Sequence, residues 1–227
     1  TRRPNPHRRP QHHPRRMTNS LTGHDVEEGE LPSGWSLCQF SEIANVDSNL
    51  VDPKPLGHLP HIAPNNIESD SGQLLQYRST AEDGVTSGKH KFQRGHILYS
   101  KIRPYLNKVV VVDFEGLCSA DMYPISTDQN ISWLWMAMLS PSFVSQTSST
   151  QTRTVLPKIN IKELSRIEIP VPPLSEQERI VEILEDQLSR LDASLAVADA
   201  VEERSAALRR SLLHSAFTGR LTEEWRE

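Results

Sequence analysis

Apolar positions follow two regimes along the chain. Between residues 31 and 173 they form short runs divided by turn residues. Ile97–Ile102, Lys108–Asp113, Leu117–Ile125 and Arg166–Val171 are rich in β-branched and aromatic residues and predict strands. Gly95, Pro104, Gly116 and Pro124 punctuate them. The run ISWLWMAML predicts a helix over Ile131–Leu139, and Ser140–Pro141 supplies an N-cap and a first-turn proline for a second. These elements predict an α+β chain: a mixed α/β domain over residues 31–173, with a small twisted sheet and a size usual for one domain.

The second regime is helical. Pro172–Pro173 ends the last strand, and Ser175 with Glu178 has the S-x-x-E spacing of a capping box. From Leu174 to Thr218 there is neither glycine nor proline, and Gly219 is a natural stop. A continuous helix over 174–218 would be ~65 Å long at 1.5 Å per residue. Its apolar residues form a narrow seam: Leu184, Leu188, Leu191, Leu195, Ala198, Val201, Leu208 and Leu212. Spacings of four and three hold to Leu195, with a local stammer between Ala198 and Val201. Such a seam needs a second helix beside it, and the chain supplies no other long one. The expected partner is another chain or a second copy of this one, and residues 219–227 form a short tail.

Residues 1–16 are an Arg/Pro/His tract that cannot build a core, and Met17 looks like a natural start. Residues 1–30 are therefore expected to be a disordered leader, its first 16 residues of possible cloning origin. No stretch is long and apolar enough for a membrane span, and there is no apolar signal-peptide region. Cys38 and Cys118 lack framework spacing, which fits free thiols in a reducing cytoplasm.

Charge sharpens the division. The net charge is −4, yet residues 1–16 hold six arginines and no acid. The window 78–108 carries seven cations against Glu82 and Asp83, and residues 174–227 carry seven arginines against twelve acids. The middle is basic and the helical end acidic. In the basic window, Lys89, Lys91, Arg94, Lys101 and Arg103 are candidates to neutralise phosphates, with Tyr105 as a stacking or polar contact; the alternative is a solvated face that touches nothing. The stretch 140–158 is dense in Ser, Thr and Gln. Gln151, Arg153 and Lys158 carry groups that read base edges, although an ordinary polar loop has the same composition.

Histidine and carboxylate spacings offer no chemistry. His58 and His61 are three apart without Cys or carboxylate partners at ligand spacing, so no metal is expected. Phosphate-loop, dinucleotide-fold, nucleophile-elbow and zinc-protease motifs are missing, and Asp121 reads as structural.

Four stretches together resemble the specificity subunit of Type I restriction–modification systems: LPSGW at 31–35, GHILYSKIRPYLNKV at 95–109, IEIPVPPLSEQERIV at 167–181 and LRRSLLHSAFTGRLTEEW at 208–225. The resemblance implies a non-catalytic DNA-recognition protein without a cofactor of its own. In that family two target-recognition domains read a bipartite site, and each is followed by a long helix, the two packing antiparallel as a spacer. The subunit carries methyltransferase subunits and, through them, restriction subunits. This chain departs in having one domain and one helix, which reads as an N-terminal half. A second copy, paired through the helix, would supply the other half and make the target palindromic. It also departs at 145–154, a Ser/Thr/Gln stretch where many relatives have a glycine-containing turn. A coiled-coil adaptor for protein partners, and the remnant of a fused enzyme, are the rival readings.

Overall fold

The computed structural model describes residues 31–149 and 157–226. The expected leader, Gln151 and Arg153 lie outside the described residues. In chain order the elements are β1 (Ser36–Gln39), α1 (Phe40–Ile43), β2 (Ala44–Val46), β3 (Leu50–Val51), β4 (Pro60–Ile62), β5 (Arg78–Ser79), β6 (Lys89–Phe92), β7 (Ile97–Ser100), β8 (Val109–Val111), β9 (Gly116–Cys118) and β10 (Met122–Thr127). There follow α2 (Ile131–Leu139), α3 (Pro141–Ser149), α4 (Ile161–Leu164), β11 (Glu168–Val171), α5 (Leu174–Phe217) and α6 (Glu223–Arg226). The chain is α+β, as the apolar pattern predicts, but its strands divide among three sheets.

The central sheet has the order β2-β10-β7-β8 and is antiparallel throughout. It separates two apolar clusters. Ile97, Tyr99, Val109, Tyr123 and Ile125 point into one, with Phe40, Trp133, Leu134, Met138 and Phe143. Leu98, Val110 and Met122 point into the other, with Ile62, Ile67, Phe92 and Cys118. Because successive strand residues face opposite sides, a sheet covered on both faces needs apolar residues at nearly every position. That is why ILYS and VVV read so plainly as strands.

The expected strand Leu117–Ile125 is in fact two strands in two sheets. Between β9 and β10 the chain turns at Ser119, whose carbonyl accepts from Met122 N–H at 2.9 Å and whose Oγ accepts from Asp121 N–H at 3.2 Å. β9 belongs to the second sheet, of order β3-β6-β9-β4-β5, in which only β4 and β9 run parallel. The side-chain periodicity runs through the turn, so pattern alone could not find the break; Ser and Asp were its only signal.

A third, two-stranded sheet joins the domain's ends. β1 pairs antiparallel with β11, from Ser36 opposite Val171 to Gln39 opposite Glu168. The LPSGW motif prepares this pairing. Trp35 N–H donates to Pro32 O at 3.0 Å with Gly34 at φ +87°, a turn that places a left-handed residue third and so needs glycine.

α5 begins at Leu174, not at a cap on Ser175. Ser175 and Glu178 therefore lie inside it and form no cap: Pro173 is the N-cap, with no side-chain cap bond. The Pro173 carbonyl instead accepts from the N–H groups of Glu176 and Gln177, at 2.8 and 3.0 Å. A true capping box stands at α4, where Asn160 and Glu163 exchange side chain-to-backbone bonds of 2.9 Å each.

One buried titratable group gives the fold a pH dependence. His90 lies in β6 with Nδ1 buried and unpartnered. Its pKa is lowered, first because burial disfavours the charged ring and next because Lys101 is near. The unfolded chain takes up a proton near pH 6.5 that folded His90 resists, so this contribution is present above that pH and lost as pH falls. Wild-type protein is expected to lose stability between pH 7 and 5 more steeply than His90→Asn, as read from urea midpoints.

Candidate nucleic-acid interface

The candidate cations look alike in sequence, and their surroundings separate them. Lys89 is buried, and its ammonium donates to Ser87 O at 2.9 Å and Ser87 Oγ at 2.8 Å. It is bonded to its own loop, so it does not present its charge for the phosphate contact expected of it. Lys101 donates to Ala120 O at 2.5 Å, with its nitrogen 5.4 Å from the centre of the Tyr123 ring. Lys108 is likewise occupied, donating to Pro64 O and Ile67 O at 2.8 Å each.

Arg94, Arg103 and Lys158 are exposed. Arg94 stands in the turn that leads from β6 in one sheet to β7 in another, where Gly95 at φ +83° allows the turn and His96 N–H closes it onto Gln93 O at 3.2 Å. Lys91, in β6, is half-buried and 3.5 Å from Glu115. An exposed pair of this kind contributes little and can exchange partners.

Arg103, Tyr105 and Lys158 come together although they are some 50 residues apart in sequence. Ile102 bridges to Lys158, Arg103 N–H donates to Pro157 O at 2.8 Å, and Ile159 N–H donates to Lys101 O at 2.9 Å. Arg103 holds a left-handed conformation, φ +48°, at the start of the turn that carries Tyr105, which is half-exposed. For a residue with a Cβ this conformation costs of order 1–3 kcal/mol and is kept by the bonds around it. Lys158 pairs with Asp121 at 3.1 Å, an exposed contact.

α5 meets its own domain only at its start. Gln177 is fully buried: its Nε2 donates to Gln129 Oε1 at 2.8 Å and Pro172 O at 2.9 Å, while its Oε1 accepts from Asn130 N–H at 3.0 Å. Sequence reading missed Gln177 because polar residues are expected on the outside. Its signal was position, four before Val181 and seven before Leu184, on the same helix stripe. Beyond Val181 every residue to His214 is exposed, including Leu184, Leu188, Leu191, Leu195, Val201, Leu208 and Leu212. An apolar cleft of about 280 Å³ opens beside the seam's first residue, walled by Trp35, Met136, Phe143, Ile180 and Leu184.

His61 Nδ1 lies 2.7 Å from Asp83 Oδ2, while His58 is exposed. Among the described residues no group of three or more His, Cys, Asp or Glu could hold a metal ion, and no helix is long and apolar enough to cross a membrane.

Comparison with known proteins fits this arrangement. Residues 32–196 match the family described as Type I restriction modification DNA specificity domain. The chain is 44% identical over 203 residues to the Type I restriction enzyme EcoDI specificity subunit of Escherichia coli, an alignment covering 86% of this chain and 44% of that protein. It is 27% identical over 220 residues to the EcoEI specificity subunit of Escherichia coli, covering 88% of this chain and 36% of that one. The chain thus spans less than half the length of these curated relatives. Among solved structures, the HsdS subunit from Thermoanaerobacter tengcongensis superposes with a TM-score of 0.62 at 22% identity, over 73% of this chain and 45% of that one. A chain from a structure of complex assembly and conformational transition in the type I R-M system superposes with a TM-score of 0.71 at 20% identity, over 83% and 50%. At such identities the structures speak for the fold alone.

Proposed function

We propose a DNA-reading role on the premise that the chain belongs to the Type I restriction modification DNA specificity domain family. Its domain binds duplex DNA at a defined sequence, without catalysis or a cofactor of its own. It directs methyltransferase subunits, and through them restriction subunits, to that site in the cytoplasm. α5 pairs with the same helix of a second copy and fixes the distance between two half-sites.

The observation that carries this reading is a recognition-sized domain rigidly joined to a bare apolar seam. Gln177 and Val181 hold the start of α5 in the domain, so the helix direction is set by the domain, while the seam beyond is open to a partner. On the domain, Arg94 and Arg103 anchor on phosphates, Lys91 and Lys158 do so after exchanging their exposed partners, and Tyr105 packs on the backbone or a base. Gln151 and Arg153 serve as readers of base edges.

The decisive experiment is binding of duplex DNA as a function of salt, followed by sequencing of the sites modified when the cognate methyltransferase is added. Arg94→Ala and Arg103→Ala are each expected to reduce the slope of log K against log salt by about 0.9, with the sequence preference intact. Lys89→Met should leave that slope unchanged. Absence of DNA binding at low salt with the methyltransferase present would favour the protein-adaptor reading, for which the seam alone suffices.

A further inference from the structure

A polar cleft of about 440 Å³ opens at one side of the five-stranded sheet, lined among others by His61, Asn65, Gln76, Tyr77, Arg78 and Asp83. None of the residues assigned to DNA above belongs to it. Its back is braced. Asn66 is buried, with Oδ1 accepting from Ala63 N–H at 2.9 Å and Nδ2 donating to Gln76 O at 2.8 Å. Leu75 N–H donates to Asn66 O at 2.7 Å, and Ile67 bridges to Leu74. The His61–Asp83 contact and Thr80, whose N–H and Oγ1 both donate to Leu59 O, tie the 80–84 segment to β4 and its approach.

The front is free. Asn65, Gln76 and Arg78 are exposed, and none makes a side-chain hydrogen bond or salt bridge among the described residues. Tyr77 stacks on Phe114 with ring centres 5.3 Å apart. The braced backbone limits the ordering that binding requires to the side chains themselves, whose donors and acceptors are available to a ligand.

We propose that this cleft is a base-reading site for duplex DNA, in which Asn65 and Gln76 read adenine and Arg78 reads guanine from the major groove. The proposal rests on the DNA-reading role above and deepens it. Amide side chains match the donor–acceptor pair of adenine, and a guanidinium matches the two acceptors of guanine. Charge favours bases over phosphates. Asp83 lies in the lining, and Glu82 lies beside it with its carboxyl held below the ordinary range, chiefly by the Ser79 hydroxyl and N–H. Two carboxylates would repel a phosphate, whereas neutral base edges meet no such penalty.

Strand register supplies the frame. Arg78 is opposite His61, His61 opposite Leu117, and Leu117 opposite Lys91, so all four share one sheet face. Three strand spacings put Arg78 ~14 Å from Lys91, and the buried His61 and Leu117 between them fix that separation.

The test is selection from a random duplex library by the full chain and by Asn65→Ala/Gln76→Ala, Arg78→Ala and Gln76→Glu variants, with each variant's thermal midpoint as a folding control. The expected result is a defined wild-type motif that each alanine variant relaxes at one or two positions by roughly ten-fold, with an unchanged salt slope. Gln76→Glu, an exposed and nearly isosteric change, is expected to move the preference toward cytosine, whose amino group a carboxylate accepts. An unchanged motif overturns the proposal, whether binding is unaltered or uniformly weaker with a slope reduced by about one, the mark of a phosphate contact. Failure of wild type to select any motif at low salt overturns the underlying DNA-reading role as well, and is told apart by being seen without any substitution.

Discussion

Gln177→Ala is expected to lower the stability of the domain by about 3 kcal/mol, a large loss for a single polar side chain. Gln177 is fully buried, and its amide is the common partner of three groups: Asn130 N–H, Pro172 O and Gln129 Oε1. Truncation leaves a donor and two acceptors without that partner, and an unsatisfied buried group costs ~1–3 kcal/mol. Two elements loosen together, because Asn130 also caps α2, its Oδ1 accepting from Trp133 N–H at 3.0 Å, while Pro172 is joined to Pro173, the N-cap of α5. In a domain of this size the loss corresponds to a fall in Tm of ~6–12 °C. Urea unfolding should show a lower midpoint at an unchanged slope. Gln177→Glu separates bonding from volume. It keeps the shape but replaces the Nε2 donor with an oxygen facing two acceptors, so it should be at least as damaging at neutral pH. Burial among acceptors would raise the folded pKa of the new carboxyl, so stability should recover as pH falls through that value, when protonation restores a donor. A loss below 1 kcal/mol for both variants would show that water replaces the amide and that the helix is not anchored by it.

The same contrast between kind of residue and surroundings decides what could be read from the chain in advance. The central strands were legible because two cores sandwich them and force apolar residues on both faces. α2 was legible to the residue, since Asn130 caps it and Ser140 follows it. The β3 and β5 strands were not, because each is two residues long and exists only through partners distant in sequence. The turn at Ser119 escaped because the chain is apolar and buried on both sides of it. Among the cations, composition treated Lys89, Lys101, Lys108, Arg94 and Arg103 as equals. Folding uses the first three to satisfy carbonyl oxygens and leaves the two arginines exposed, a division that depends on which carbonyls come within reach. The 61–85 cleft escaped for a different reason: a charge map registers its Arg78 and Asp83 but not its uncharged Asn65, Gln76 and Tyr77.

Leu188→Asp combined with Leu195→Asp is expected to abolish pairing of α5 while leaving the domain as stable as before. These leucines are 48% and 54% exposed, whereas Val181, where the helix meets its own domain, is 8% exposed. They touch no core of their own chain, so a carboxylate there meets only water in the single chain. In a two-fold pair each substitution counts twice. Four partly exposed leucines lose further burial worth about 5 kcal/mol in total, at ~1.5–3 kcal/mol for each fully buried side chain. That alone raises Kd by more than ~1000-fold, before the cost of placing four carboxylates in an apolar seam. Charge also selects the direction of pairing. Leu174–Leu195 carries six acids against Arg179 and Arg190, while Ala196–Phe217 carries three acids balanced by Arg204, Arg209 and Arg210. Parallel helices would set one acidic half against the other, whereas antiparallel helices set each acidic half against a neutral half that contains arginines, so like-charge repulsion falls. Sedimentation equilibrium reads the result. Wild type should be dimeric at micromolar concentration and the double variant monomeric, with the same Tm for the domain transition. A wild-type chain that stays monomeric at high micromolar concentration would assign the seam to a different chain, and the palindromic half-site arrangement would fall with the homodimer.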